Sequence, residues 1–172
     1  MPGMIHVYTG NGKGKTTAAL GLALRAYGAG KKILIIQFLK TPNTSEVNAI
    51  KKNLPYLTIK CFGSGNFLNK DNIPDKEKEL AKNGFETARL AIKSKEYDVL
   101  ILDELNLAIY FGLIETNEVL ELIKNKPEEL ELIITGRYAP KELAEKSDLV
   151  TEMIEHKHYF KKGLDARKGI EY

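Results

Sequence analysis

The sequence predicts an α/β fold: a mainly parallel sheet flanked by helices. Three observations carry that prediction. Apolar runs alternate with amphipathic segments along the whole chain. Several of the runs are near-continuous Val/Ile/Leu, as strands buried on both faces require. The first run opens through a glycine-rich turn into a helix-like segment, the arrangement of a phosphate-binding loop.

The elements follow in order. Strands are expected at Met4–Thr9, Lys32–Phe38, Leu57–Cys61, Val99–Asp103, Leu130–Thr135 and Leu149–Met153. A first helix runs from Ala18 to Tyr27 and stops near Gly28 and Gly30, which suit a C-terminal cap. A long helix fits Pro74 to Lys95. There Leu80, Ala81, Gly84, Phe85, Ala88, Ala91 and Ile92 recur at helical spacing, and Pro74 suits the first turn. Further helices fit Asn117–Asn125 and Pro140–Lys146. The polar stretches Thr41–Asn48 and Gly63–Asn72 read as functional loops beyond strand ends, where open α/β sheets bind ligands.

The 172 residues suit one domain, 1–172, with no internal repeat or linker. A composition of 43% hydrophobic and 28% charged residues is that of a soluble globular protein. No apolar run approaches the ~20 residues of a membrane span, and no signal-peptide core is present. A cytoplasmic protein is expected. The single cysteine, Cys61, excludes an internal disulfide, and beside Phe62 at a strand end it reads as core.

The net charge is only +3. The C-terminal segment 156–172 is locally basic: between 156 and 168, Lys157, Lys161, Lys162, Arg167 and Lys168 face the single acid Asp165. It reads as a solvated tail or as a surface for an anionic ligand or nucleic acid. No aromatic-interleaved basic array points to nucleic acid.

The chemistry centres on Gly10-Asn11-Gly12-Lys13-Gly14-Lys15-Thr16-Thr17. Glycines let backbone N–H groups crowd around anionic oxygens, and the helix N-terminus adds positive potential. Lys15 is placed to reach terminal phosphates and the Thr16 hydroxyl to bind Mg²⁺. Lys13 can stabilise developing negative charge. The usual pattern has glycine at the position of Thr9; here it comes one residue later, at Gly10.

The strand Val99–Asp103 ends in two acids. Asp103 is the first candidate to help hold Mg²⁺ and Glu104 the second. Arg137, after the strand ending at Thr135, can approach phosphates or form a surface ion pair. His156 and His158 lack further ligands nearby and read as structural or surface residues.

Taken together, Val7–Thr17, Gln37-Phe38-Leu39-Lys40, Asp98–Asn106, Ile134–Arg137 and the ending from Lys157 to Tyr172 resemble the phosphate-loop class of ATP:corrinoid adenosyltransferases, and Thr9 belongs to that family's pattern. The resemblance spans nearly the whole chain. It implies a RecA-like fold, usually a homodimer, and transfer of the 5′-deoxyadenosyl group of ATP to a reduced corrinoid with release of triphosphate. It implies ATP contacts from Gly10 through Thr16, with Thr17 adjacent, and a Mg²⁺ role for Thr16 and the Asp103–Glu104 turn. Electrons would come from a reductase or reduced flavoprotein. Many members carry Gly-Phe-Thr-Trp near the lower face of the corrinoid. Here Gly65-Asn66-Phe67-Leu68 corresponds, with its aromatic displaced by one, so Phe67 and Leu68 become the candidate corrinoid contacts. Some members have a longer N-terminal extension over the active site. With three residues before the first strand, that cover is expected to be absent or replaced. Two other readings share the same loop: a P-loop ATPase or kinase, and a non-enzymatic nucleotide- or corrinoid-binding carrier or regulator.

Overall fold

A computed structural model describes residues 2–65, 68–70 and 72–172 of the chain. The strands are β1 (Ile5–Thr9), β2 (Ile33–Phe38), β3 (Leu57–Phe62), β4 (Val99–Asp103), β5 (Glu131–Thr135) and β6 (Leu149–Glu152). Among the described residues they form one sheet in the order β3-β2-β4-β5-β1-β6. All of its pairings are parallel. The expected strands are therefore all present, with ends shifted by at most one residue.

The helices are α1 (Lys15–Gly28), α2 (Ser45–Asn53), α3 (Asp75–Ser94), α4 (Leu105–Tyr110), α5 (Thr116–Lys124) and α6 (Lys141–Glu145). No helix among the described residues is long and apolar enough to cross a membrane.

The central strands sort their side chains by parity. Leu34, Ile36 and Phe38 of β2 and Leu100 and Leu102 of β4 enter a core with α3, α4 and α5. Ile33, Ile35, Val99 and Ile101 point the other way, into a core with α1 and α2. Two covered faces explain why these strands read as unbroken aliphatic runs. Gly84 of α3 lies where a Cβ would meet Phe38 and Phe62 at 3.0 and 3.1 Å, so the helix sits close on the sheet.

One expected loop is corrected. Within Thr41–Asn48, the stretch from Ser45 onward is the first turn of α2. Thr44 takes the extended N-cap conformation, Glu46 lies in the first turn, and Lys51 and Lys52 lie in the last, which suits the helix dipole. Only Val47 and Ile50 are buried, so the apolar stripe is too short to stand out from a polar stretch. Helix α4 was also unannounced: its six residues supply little more than one turn of periodicity. Gly63–Asn72 lacks helix and strand in its described part, apart from an isolated antiparallel bridge between Asn69 and Asn72.

The consequence for function is geometric. Strands β1, β2, β4 and β5 end side by side, so Thr9, Phe38, Asp103 and Thr135 converge at one edge of the sheet. The loops that leave this edge build the site.

Candidate active site

The glycine-rich loop that begins at Gly10 connects β1 to α1. Thr9 is still in the ladder: it is paired with Glu152, its carbonyl accepts from Met153 N at 2.9 Å, and its hydroxyl accepts from Ala139 N at 3.3 Å. The left-handed turn therefore falls one residue later, at Gly10, with φ +91°. A Cβ there would lie 2.4 Å from the Met153 carbonyl oxygen. Only glycine fits both the dihedral and the space. This is the physical reason for Thr9 and Gly10 in place of the usual order.

Lys15 is 7% exposed and donates to the carbonyls of Gly10 at 2.7 Å and Gly12 at 2.8 Å. Burial lowers its pKa. Its ammonium braces the loop beside the cavity, with no carboxylate bonded to it among the described residues.

The Thr16 hydroxyl donates to Asp103 Oδ1 at 2.9 Å. Asp103, 1% exposed, is the hub of the site. It also accepts from Thr135 Oγ1 at 2.7 Å, Gln37 Nε2 at 3.1 Å and Lys40 Nζ at 2.7 Å. Burial alone would raise its pKa. The Lys40 charge and the donors on both oxygens outweigh burial and hold the carboxyl below its ordinary value. Lys40 also reaches Thr16 Oγ1 at 3.0 Å.

Lys40 was missed as a site residue, and so were Gln37 and Thr135. Lys40 follows Leu39, whose φ of +59° turns the chain back over the sheet edge. Gly63 packs against that turn so closely that a Cβ would stand 2.3 Å from the Leu39 carbonyl carbon. Two signals were available: Gln37-Phe38-Leu39-Lys40 is one of the segments that resemble the family, and a lysine stands just past a strand end, a position common on surfaces.

Glu104 follows Asp103 in left-handed conformation, φ +62°. This is uncommon for a residue with a long side chain. Its N–H donates to Thr135 Oγ1 at 3.0 Å. Its Oε2 is buried without a hydrogen-bond partner. Burial, then the neighbouring Asp103, raises its pKa. Arg137 is exposed and lines the same cavity, with no ion pair or hydrogen bond among the described residues.

Lys15, Thr16, Lys40, Glu104 and Arg137 line a cavity of about 460 Å³ with Asn11, Gly12, Gly14 and Thr17, within the range of nucleotide-sized sites. Lys13 points away from the loop interior, to the C-terminal residues Tyr159, Ile170 and Glu171. His158 also lines the cavity, its Nδ1 accepting from Phe160 N at 3.1 Å, whereas His156 is exposed. No group of three or more His, Cys, Asp or Glu among the described residues could hold a metal. Phe67 lies outside the described residues. Leu68 is half-buried and packs against the larger core. Cys61 donates to Gln37 Oε1 at 3.3 Å, behind the site, and burial raises its pKa.

The model of the family described as ATP:corrinoid adenosyltransferase BtuR/CobO/CobP matches residues 1–172. The chain belongs to this family. It is 33% identical over 173 residues to a corrinoid adenosyltransferase of Pseudomonas aeruginosa, covering 99% of this chain and 84% of that one. A corrinoid adenosyltransferase of Escherichia coli K12 is 33% identical over 171 residues, covering 99% and 86%. A protein of Nostoc sp. is 37% identical over 166 residues, covering 89% of this chain but only 44% of its own length. As a family member this adenosyltransferase is an enzyme of ATP-dependent adenosyl transfer to corrinoid cobalt.

Proposed function

We propose that this adenosyltransferase binds the triphosphate of ATP in the cavity above Lys15 and Thr16, and that its residues act there as follows. The cobalt of the reduced corrinoid attacks the ribose 5′ carbon with its own electron pair. The cobalt–carbon bond forms, the bond from that carbon to the first phosphate oxygen breaks, and triphosphate leaves with the pair. No proton has to be removed, so the reaction asks no catalytic base of the residues that line the cavity. The protein's work is alignment, worth up to about 7–11 kcal/mol, and charge stabilisation on the leaving group. Loop N–H groups, Lys15 and Arg137 supply the second.

Mg²⁺ fits beside Thr16 and Glu104. The supporting observation is the buried Glu104 oxygen that lacks a partner, since a cation would satisfy it. Both Asp103 oxygens are already engaged. Asp103 would therefore orient Thr16 and Lys40 and leave the ion to Thr16 and Glu104. Mg²⁺ usually takes one or two carboxylates plus phosphate oxygens, so a larger protein cluster is not needed. When bound, it would neutralise charge developing on the triphosphate.

The observation that carries the reading is the convergence of Lys15, Thr16, Glu104 and Arg137 on one cavity. A RecA-like arrangement fits the strand order and the position of the loop after β1. The family resemblance supports a cytoplasmic homodimer supplied with electrons by a reductase or reduced flavoprotein. Phe67 remains the candidate for the corrinoid's lower face. Anion-exchange analysis of a reaction with ATP, Mg²⁺ and chemically reduced cobalamin is expected to give triphosphate in step with adenosylcobalamin. Stoichiometric ADP would establish phosphoryl transfer instead.

A further inference from the structure

The chain beyond β6 does not trail into solvent. After Met153 it forms a 3-10 turn at Tyr159–Lys162, reverses at Gly163, and returns to the phosphate loop as Arg167–Tyr172. A second turn shapes this end: the Arg167 carbonyl accepts from Ile170 N at 3.2 Å and Glu171 N at 2.9 Å. Two contacts then dock it. The Tyr172 carbonyl accepts from Ser45 Oγ at 3.0 Å, at the start of α2. Lys13, the fourth residue of the loop, donates to Glu171 Oε1 at 2.6 Å, Tyr159 Oη at 2.8 Å and the Ile170 carbonyl at 3.1 Å.

Glu171 is the centre of this contact. Besides Lys13 it accepts from the Tyr159 hydroxyl, from Arg167 N at 2.7 Å and from the Arg167 guanidinium at 3.3 Å. The Arg167 guanidinium also lies over the Tyr159 ring, 5.0 Å from its centre. The result is a closed unit of one carboxylate and three donor side chains. Residues Gly169–Tyr172 thereby line the same cavity as Lys15 and Arg137.

We propose that Lys13 is a positioning residue and not a triphosphate ligand: with Glu171 it latches the C-terminal segment across the phosphate loop, making Gly169–Tyr172 a wall of the nucleotide site. This rests on the nucleotide reading of the cavity. The charge arrangement favours the latch over a switch. If Lys13 swung to the triphosphate, it would give up three acceptors and leave the Glu171 carboxylate, an anion, near the incoming phosphates. With the latch closed, Lys13 is neutralised, and Lys15 and Arg137 line the cavity as cations with no carboxylate ion-paired to them among the described residues. The cavity exists with the segment docked, so nothing has to be expelled for a nucleotide to enter.

The test is a double-mutant cycle on MgATP binding, measured by calorimetry without corrinoid. Glu171→Gln and Lys13→Met should each weaken binding by about tenfold, and the double variant should be no weaker than either one. Lys13→Arg should retain most of the affinity. Adenosylation by the single variants should show a raised KM for ATP with a smaller change in kcat. Trypsin should cut after Arg167 or Lys168 faster in Lys13→Met than in the wild type, with circular dichroism confirming the fold of each variant. If the two losses multiply, or Lys13→Met lowers kcat far more than Glu171→Gln, Lys13 touches the triphosphate and the latch is overturned. The two proposals fail separately. A wild-type chain that binds no ATP refutes the nucleotide reading, whereas one that binds ATP with independent losses refutes only the latch.

Discussion

Two lysine–carboxylate pairs of nearly equal length hold two different parts of the site. Lys40 meets Asp103 at 2.7 Å and Lys13 meets Glu171 at 2.6 Å. The first pair joins rigid strand ends. Its carboxylate is 1% exposed and its remaining acceptor positions are filled by Thr16, Gln37 and Thr135. The second joins a loop to the chain terminus, with Lys13 40% exposed and Glu171 17%. Distance alone would rank them together. Burial separates them, because a buried charge that loses its partner cannot be rescued by water, whereas an exposed one is resolvated at little cost. The Lys40 pair is therefore tied to the folding of the sheet edge, and the Lys13 pair to the shape of the pocket.

The strongest test of that distinction is Asp103→Ala. It strips Lys40 of its only ion-pair partner among the described residues and frees Thr16. The expected loss is about 3–5 kcal/mol of stability, with the melting midpoint lowered on the order of 10 °C. Adding Lys40→Met should recover part of the loss, since it removes the stranded charge. Calorimetric melting of Asp103→Ala and Glu171→Ala side by side decides the matter: equal midpoints would end the comparison.

A third lysine sharpens it. Among the described residues, Lys15 is buried yet bonded to loop carbonyls alone, so its removal should spare the fold and damage the reaction. Lys15→Ala is expected to lower adenosyl transfer by about 10²–10³-fold, the usual effect of deleting one preorganised donor. Circular dichroism should be unchanged. Near-normal turnover in the folded variant would remove Lys15 from the triphosphate site.

The smallest effect concerns pH. Lys13, Tyr159 and Arg167 hold the Glu171 carboxyl well below the usual carboxylate range. A carboxylate whose folded pKa is depressed contributes stability above its unfolded pKa, about 4.3, and loses it as pH falls toward the folded value. The difference in melting midpoint between wild type and Glu171→Gln should thus be constant near neutrality and shrink on acidification below that range. A difference that grows as pH falls would contradict the assigned bonding of Glu171.

The sheet edge and the terminal strap also differ in how far the sequence announced them. Strand β4 and its terminal acids stand out because aliphatic runs and their ends are local features. Helix α2 did not, since two buried positions within nine residues make no periodicity. Lys40 did not, because its role depends on a left-handed turn at Leu39 braced by Gly63, a contact between β2 and β3 ends. The basic C-terminal segment was visible as charge, but its decisive residue is an acid. Glu171 counts against a basic patch in any composition and gains its meaning only beside Lys13.

What the sequence determined by itself is whatever its local patterns encode. These are the parallel α/β layering from two-faced aliphatic strands, the glycine-rich turn between β1 and α1, and the acids at the end of β4. The tertiary structure alone decided the pairings. Lys40 and Asp103 are 63 residues apart, and Lys13 and Glu171 are 158 apart. No helical or strand period spans such separations. Which lysine faces a carboxylate and which faces the cavity follows from the strand order that brings β2 beside β4 and from the turn that returns the C-terminus over the loop.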